Sequence, residues 1–304
     1  MLMSAVRSCE VSIRCMAKLI RNDRSTLPAD LSMVEGNVLV IKVVGLGFNK
    51  KHLVLKSGSP ELLSVHADRP DDRKLEQSVK LTVVAKALRQ ERVVEVTAYV
   101  NDGRTSVVDA GTPRIRIKIL PYLHLPAQDS ELGILTRMLI LETAGPEHPN
   151  YAGAAEARQS MQWMIRLLRN RLEAGPHHFS NKPSEAANLA VTSMTDVVKI
   201  PGQVEAFPRY PNLPDKKVAL IKRTLDLAND ATQGRFPAYR ELLENAISVA
   251  GSPPIADPCP TKLYGWKTQG APSPGRNFKY FRSLGGQDFY TLTPEFRADV
   301  LKIK

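Results

Sequence analysis

The spacing of hydrophobic residues changes near residue 120, and this change constrains the fold more than any other feature of the chain. Between residues 37 and 120, apolar residues come in short runs separated by Gly, Asn, Asp and Pro, and VEVTAYV (94–100) and RIRIKIL (114–120) alternate polar with apolar positions. Alternation with period two is typical of half-buried antiparallel strands. Beyond residue 128, apolar residues recur at helical intervals. The sequence therefore predicts an α+β protein, with a β part followed by a mainly α part.

The seven apolar runs of residues 37–120 have the number and spacing of strands in a β-sandwich of immunoglobulin-like size. We predict this sandwich at residues 35–121, with residues 1–34 as an N-terminal extension. Prolines in PYLHLPAQ (121–128) stop the last strand and indicate a hinge, so the second domain is expected at residues 125–304. The sandwich segment shows no pair of catalytic groups, which favours a docking or binding role.

Helices are predicted throughout most of the second domain. Asp129 or Ser130 can cap the first one, whose apolar stripe leads directly to Glu142. Gly175 followed by Pro176 ends the second one in the usual order. The last fifty residues have the composition of loops with short strands. The predicted helices span about 129–142, 154–173, 218–233 and 239–251.

The formal net charge is +11 and the pI is near 9.6. Such an excess favours polyanions, whether nucleic acid, an anionic membrane surface or bacterial cell wall, and does not choose among them. No window approaches the roughly eighteen apolar residues that a membrane span needs. The basic N-terminus is interrupted by Arg7, Glu10, Arg14 and Lys18, so no Sec signal peptide is predicted.

Neither a metal nor a cofactor is expected from the remaining motifs. Cys9, Cys15 and Cys259 are an odd number without CxxC spacing, which predicts no disulfide framework and no zinc site, and indicates a reducing cytoplasm as the place of synthesis. The pair His177–His178 has no third ligand in its pattern. The segment VVGLG contains only a GxG and is not followed by a predicted helix, so it is not a nucleotide loop.

Glu142 lies at the end of an apolar run, in LILETAGPEHP (139–149). A carboxyl at the margin of an apolar core has its charged form disfavoured, so that its pKa rises and it can hold a proton near neutral pH. A glycosidic general acid needs that property, because the leaving oxygen must be protonated as the bond breaks. The alternative is a solvent-exposed glutamate in the last turn of an ordinary helix.

Five segments occur in an order that resembles the bacterial cell wall hydrolases of the spore-cortex-lytic type, which belong to the lysozyme-like superfamily. The resemblance covers roughly residues 128–292 and rests on the order and spacing of the segments, none of which is specific alone. Departures are the longer ETAGPE, Val204 after Gln203, and Gly265–Trp266 after Tyr264. The segments are LETAGPE (141–147), RLLRNRL (166–172), TDVVKIPGQVEAF (195–207), DPCPTKLYGW (257–266) and LGGQDFYTL (284–292).

The resemblance implies a catalytic acid and a set of residues around a sugar cleft. Glu142 falls on the family's acid. Aromatic faces and amides would contact pyranose rings and N-acetyl groups, and Asn170–Arg171 could equally be a structural prop for the Glu142 loop. For Phe289, core packing is the preferred interpretation. The residues implied as substrate contacts are Asn170, Gln203, Tyr264 and Tyr290, with Tyr210 and Trp266 as further aromatic faces.

A hydrolase that inverts or retains configuration usually needs a second carboxylate. Glu147 and Glu205 are the candidates in the matching region, and each also fits a solvated loop residue. If neither serves, the resemblance implies a lytic transglycosylase, in which the muramic C6 hydroxyl attacks C1 and a single acid/base suffices.

The sequence thus predicts an enzyme that cleaves the glycan strands of peptidoglycan. An enzyme without a Sec signal would act in the periplasm or on the wall after another export route, as toxins of type VI secretion machines and some phage lysins do. A secretion machine or an immunity protein would then be a partner, and nucleic acid is not expected to be one. The alternatives are a basic wall- or nucleic-acid-binding module with an inactive hydrolase domain, and an amidase of the peptide stems.

Overall fold

The computed structural model describes residues 18–28, 30–44, 52–69, 76–101, 106–107 and 114–302. The chain divides into two compact units, residues 1–122 and 123–304. The described residues form twelve strands and seven α-helices, and the sheets are largely antiparallel. The predicted order of a β-rich part followed by a mainly helical part is confirmed. Cys9, Cys15 and the GxG at 45–47 lie outside the described residues.

The strands of the first unit lie in two sheets. All seven predicted strands are present, and two more precede them. One sheet has the order β1 (Lys18–Arg21), β3 (Val38–Val44), β6 (Glu76–Val83) and β5 (Leu63–Ala67). The other has the order β2 (Asp30–Val34), β9 (Arg114–Leu120), β7 (Arg92–Asn101) and β4 (His52–Ser57), with β8 (Ser106–Val107) also on β7.

Both sheets bury alternate side chains in one core, in a sandwich-like arrangement. The period-two pattern accounts for this, since every second residue of a strand points to the same face. In β9, Ile115, Ile117 and Ile119 are buried while the basic residues between them are exposed. Residues of the other sheet, such as Ile41 and Leu81, belong to the same cluster.

Two features of the first unit correct the prediction. The described part of residues 1–34 is not an extension, because β1 and β2 are strands of the two sheets. In addition, β2 pairs with β9 in parallel, with Asp30 opposite Arg116, where only antiparallel strands were expected. The sequence did not predict β1 and β2 because both strands are short and include charged residues. Their sequences therefore have too few alternating positions to indicate a strand.

The second unit contains all seven helices. Its core includes buried residues of α1, α2, α4 and α6. The fifth helix ends earlier than predicted, because the Asn229 side chain donates to the Leu225 and Leu123 carbonyls and accepts from the Leu123 N–H. The helices are α1 (Glu131–Glu142), α2 (Ala154–Ala174), α3 (Pro183–Ala187), α4 (Met194–Lys199), α5 (Asp215–Ala228), α6 (Phe236–Ala250) and α7 (Pro294–Lys302).

Local sequence sets the ends of the two central helices. The hydroxyl of Ser130 accepts a hydrogen bond from the Gly133 N–H, and this cap begins α1. Gly175, with φ near +95°, ends α2 in a conformation that other residues adopt with strain. The predicted start of α1 and end of α2 therefore agree with the structure to within one residue.

A three-stranded antiparallel sheet follows the helices, in the order β10 (Gly265–Thr268), β12 (Gln287–Leu292) and β11 (Phe278–Leu284). Strands β11 and β12 form a hairpin whose turn is Gly285–Gly286, both with positive φ, as tight hairpin turns require. All six residues of β12 are buried. The short strands were predicted, whereas α7 was not.

Candidate active site

Glu142 is the last residue of α1, and the chain leaves the helix at once because Thr143 has an extended backbone. The two preceding turns are fully buried at Leu135, Met138 and Leu139. The Glu142 side chain itself is partly buried. The carboxyl is therefore held at the edge of an apolar core, as the spacing of the helix predicted.

Two side chains from distant segments bind Glu142. The indole Nε1–H of Trp266 donates to Glu142 Oε2 over 3.1 Å. The Gln287 amide donates to the Glu142 backbone carbonyl over 2.8 Å, which satisfies an acceptor at the end of the helix. The first contact orients the carboxyl and the second fixes the helix end that carries it. Gln287 was not among the predicted site residues.

The glycine turn of the hairpin fits closely against the segment that follows Glu142. A Cβ atom on Gly286 would lie 2.7 Å from the Ala144 Cβ and 2.9 Å from the Asn150 carbonyl oxygen. A Cβ atom on Gly285 would lie 2.7 Å from the Glu156 carbonyl oxygen at the start of α2. Residues 285–286 therefore have to be glycines for the hairpin to approach the Glu142 loop this closely.

Burial raises the pKa of the Glu142 carboxyl above its ordinary value, and this loss of solvation is the largest influence on it. The hydrogen bond from Trp266 acts in the opposite direction, as do the positive charges of Lys217 and Lys267. The negative charge of Glu205 adds a smaller upward influence on the same pKa. The carboxyl is thus suited to keep its proton at a higher pH than an exposed glutamate does.

Arg171 lies behind Trp266 and is itself buried. Its guanidinium lies over the Trp266 ring at 5.5 Å and over the Phe179 ring at 5.4 Å. It donates to the Tyr264 carbonyl over 2.7 Å and to Gln203 Oε1 over 2.6 Å. Burial lowers the pKa of Arg171 to about 9. The arginine therefore holds the ring that binds Glu142.

Asn170, the neighbour of Arg171 on α2, anchors the loop that leads to Trp266. Its amide donates to the Asp257 carboxylate and to the Leu263 carbonyl. Asp257 also accepts from the Cys259 and Leu263 N–H groups and lies 3.7 Å from the Arg166 guanidinium. Asn170 and Arg171 therefore have a structural role, and they stabilise the 257–266 loop rather than the Glu142 loop.

The predicted substrate contacts through Asn170, Gln203, Tyr264 and Tyr290 do not agree with the burial of these side chains, which are 0–7% exposed. Both ends of the Gln203 amide are used inside the protein, since Nε2 donates to the Pro176 carbonyl over 2.9 Å and Oε1 accepts from Arg171. These four side chains therefore present little surface to solvent. The structure gives them packing or positioning roles.

Tyr264, Trp266 and Tyr290 also pack inside the protein, whereas Tyr210 is partly exposed and donates its hydroxyl to the Gln128 carbonyl. Tyr264 is stacked on Phe179 at 5.3 Å, and Phe289 is fully buried against Trp163, in agreement with its predicted packing role. Tyr290 meets the exposed ring of Tyr280 edge to face.

The two candidate second carboxylates have different surroundings. Glu147 binds the guanidinium groups of Arg223 and Arg235. Glu205 is largely exposed and lies 3.4 Å from the Lys217 ammonium. The negative charge of Glu205 is among the influences that raise the pKa of the Glu142 carboxyl. Glu147 is thus engaged by two arginines, and Glu205 is exposed beside one lysine.

Within the described residues, no three His, Cys, Asp or Glu side chains come together as a metal ion would require. The rings of His177 and His178 pack against each other with centroids 3.9 Å apart and planes tilted by 41°. None of the helices in the described ranges is long and apolar enough to cross a membrane.

The raised pKa of Glu142 predicts that Glu142→Gln makes the protein more stable at neutral pH. Between the unfolded and folded pKa values, the folded state binds more protons than the unfolded one, so wild-type stability falls as the pH rises through that window. A glutamine carries no such charge. We expect a higher Tm for Glu142→Gln at neutral pH and equal Tm values below about pH 4, the ordinary range of a glutamate.

Thermal unfolding of both proteins across pH 4 to 8 measures this difference. Glu185→Gln is the matched control, because Glu185 is exposed and paired with Lys182 at the surface, and its Tm difference should not grow with pH in this way. A Glu142→Gln protein that is no more stable than wild type at neutral pH would show that the carboxyl is well solvated.

Neither a protein-family model nor a curated protein sequence matches this chain. Solved structures of the S-layer protein SbsC share limited similarity with it. Domains 4 and 5 of that protein are 16% identical with a TM-score of 0.22, over 31% of this chain and 48% of that one. Domains 1–6 are 15% identical with a TM-score of 0.24, over 33% of this chain and 13% of that one. This chain thus matches less than half of either structure, and TM-scores of this size do not assign a fold.

Proposed function

We propose that the second unit cleaves the glycan strands of peptidoglycan, as a lytic transglycosylase or a muramidase of lysozyme-like fold, with Glu142 as its general acid. One observation carries the proposal: the five segments behind the family resemblance converge on this carboxyl. Trp266 and Gln287 bind Glu142, Arg171 binds Trp266, and Gln203 binds Arg171. Each of these residues comes from a different segment.

The chemistry of the carboxyl supports the same proposal. A general acid in glycoside cleavage gives its proton to the leaving oxygen while the C1–O bond breaks and its electron pair stays on that oxygen. The carboxylate that remains then takes a proton from the group that attacks C1, either the muramic C6 hydroxyl or a water molecule. Because burial raises the pKa of the Glu142 carboxyl, this carboxyl keeps the first proton to a higher pH than an exposed glutamate does.

The surroundings of the other carboxylates favour the route with a single glutamate. Glu147 is engaged by two arginines, and Glu205 is solvated and paired with Lys217. A hydrolase would need one of them to activate water or to attack C1. We therefore favour the transglycosylase, with 1,6-anhydro-muramic acid at the ends of the products.

We also propose that the enzyme is an antibacterial toxin that acts in the periplasm, delivered for example by a type VI secretion machine. The β-rich first unit would be the docking or loading part. Its net charge, +7 for residues 1–122 from 20 basic and 13 acidic residues, suits an anionic surface. An immunity protein would protect the producing cell.

Digestion of purified peptidoglycan, followed by mass spectrometry of the soluble muropeptides, tests the function. We expect anhydro-muramic ends, and we expect Glu205→Gln and Glu147→Gln to retain most of the activity. Reducing muramic ends together with loss of activity in Glu205→Gln would identify a muramidase. A protein that sediments with the wall but releases no fragments would be a binding module, and released stem peptides would indicate an amidase.

A further inference from the structure

The Trp266 indole is held rigidly beside the Glu142 carboxyl. Its strand β10 pairs with β12, with Trp266 opposite Phe289, and the buried Arg171 guanidinium lies over its ring. Its Nε1–H donates to Oε2. In the described part of the chain, no hydrogen bond reaches the other carboxyl oxygen, Oε1. The two oxygens of Glu142 are therefore not equivalent.

An indole N–H donates and cannot accept a hydrogen bond. The oxygen that faces Trp266 must therefore be an acceptor in both protonation states of Glu142. The carbonyl oxygen of a neutral carboxyl is a stronger acceptor than its hydroxyl oxygen, so the neutral acid keeps the carbonyl oxygen toward Trp266 and its hydroxyl hydrogen on Oε1. A glutamine or histidine partner, which can both donate and accept, would not impose this choice.

We propose that Trp266 is a positioning residue that assigns the transferable proton of Glu142 to Oε1 and stabilises the carboxylate left after its transfer. This inference rests on the proposed function. As the Oε1–H bond breaks and the proton passes to the leaving oxygen, the negative charge spreads over both carboxyl oxygens. A hydrogen bond to a charged acceptor is stronger than one to a neutral acceptor, so the contact with Trp266 strengthens along the reaction and lowers its barrier.

Other charges near Glu142 are the ammonium groups of Lys217 on α5 and Lys267 on β10, and the carboxylate of Glu205. In the described residues none of the three forms an ion pair or hydrogen bond with Glu142, and Lys267 and Glu205 are exposed, so salt screens their influence. The contact from Trp266 is a direct and partly buried hydrogen bond. Its removal should therefore change the titration of Glu142 in a way that high salt does not reproduce.

A fluorescence titration of the full chain tests the contact without any assay of activity. The protein has two tryptophans, and Trp163→Phe leaves Trp266 as the only one. We expect the Trp266 emission to change with pH around a midpoint above the ordinary glutamate range, at low and at high salt. We expect this change to be absent from the double variant Trp163→Phe, Glu142→Gln. An unchanging emission, or the same change in the double variant, would overturn the proposal.

A kinetic experiment tests the role in proton transfer. Trp266→Phe keeps an aromatic ring but removes the donor, and we expect kcat to fall roughly tenfold because the carboxyl is less well oriented. The alkaline limb of the pH profile should move to higher pH, because the lost hydrogen bond had favoured the charged form. Trp163→Phe is the matched control: it alters a buried tryptophan that packs on Phe281 and Phe289 and does not bind Glu142.

The proposal would be overturned if Trp266→Phe lowered kcat but left the alkaline limb of the pH profile in place, with unchanged circular dichroism. Trp266 would then be a packing residue only. If the wild-type chain releases no glycan fragments, the proposed function fails instead. The fluorescence titration would still decide whether Trp266 controls the Glu142 carboxyl.

Discussion

Glu142→Gln is expected to lower the rate of glycan cleavage by a factor of about 10²–10⁴, which is the usual contribution of general acid catalysis. Glutamine has the size of glutamate, and its amide oxygen can still accept the hydrogen bond from Trp266. It has no proton to give to a leaving oxygen. Release of soluble fragments from purified peptidoglycan measures the effect.

Glu131→Gln is the matched control, because Glu131 begins the same helix and is exposed to solvent. Its activity should equal that of the wild type. Both variants should show wild-type circular dichroism, since neither removes packed apolar atoms. If Glu142→Gln kept more than about a tenth of the wild-type rate, the general acid would have to be another group.

Asp257→Ala is expected to lower the free energy of unfolding of the second unit by about 3 kcal/mol. The Asp257 side chain is 11% exposed and that of Arg166 is 20% exposed, so their ion pair is largely removed from water. The substitution leaves this arginine and the Asn170 amide without their carboxylate, and it also removes the acceptor of two backbone N–H groups.

Urea unfolding followed by circular dichroism measures the loss, with Glu185→Ala as the comparison. Glu185 also forms an ion pair, with Lys182, but both side chains are more than half exposed, so that substitution should change the unfolding free energy by less than about 1 kcal/mol. Similar losses for the two variants would mean that the Asp257 cluster is solvated and does not brace the loop that carries Trp266.

The strands and the long helices of this protein could be predicted because their signals are local. RIRIKIL alternates over seven residues, and the result is β9 with three buried isoleucines. The Ser130 cap and the glycine after α2 mark helix ends within a few residues of sequence. The strands β1 and β2 have four and five residues, and so short a pattern cannot be separated from a loop.

The candidate acid could also be predicted, because the apolar stripe of α1 lies on the same helix as Glu142. Its partners could not be, since Trp266 and Gln287 follow it by 124 and 145 residues and contact it only through the fold. The predicted contacts at Asn170 and Gln203 show the converse limit. The sequence of a matching segment is the same whether its amide side chain faces a substrate or donates a hydrogen bond to a buried backbone carbonyl. Only the structure distinguishes these two roles.

The Gly285–Gly286 turn has a practical consequence for anyone who labels or fuses this protein. Hairpin tips are usually good places to insert a peptide tag or a second domain, but this tip is pressed against Ala144 and the start of α2. A tag there would displace the segment that follows the candidate acid. The loop between β10 and β11 suits an insertion better, because Gly270 and Gly275 each have open space where a side chain would go.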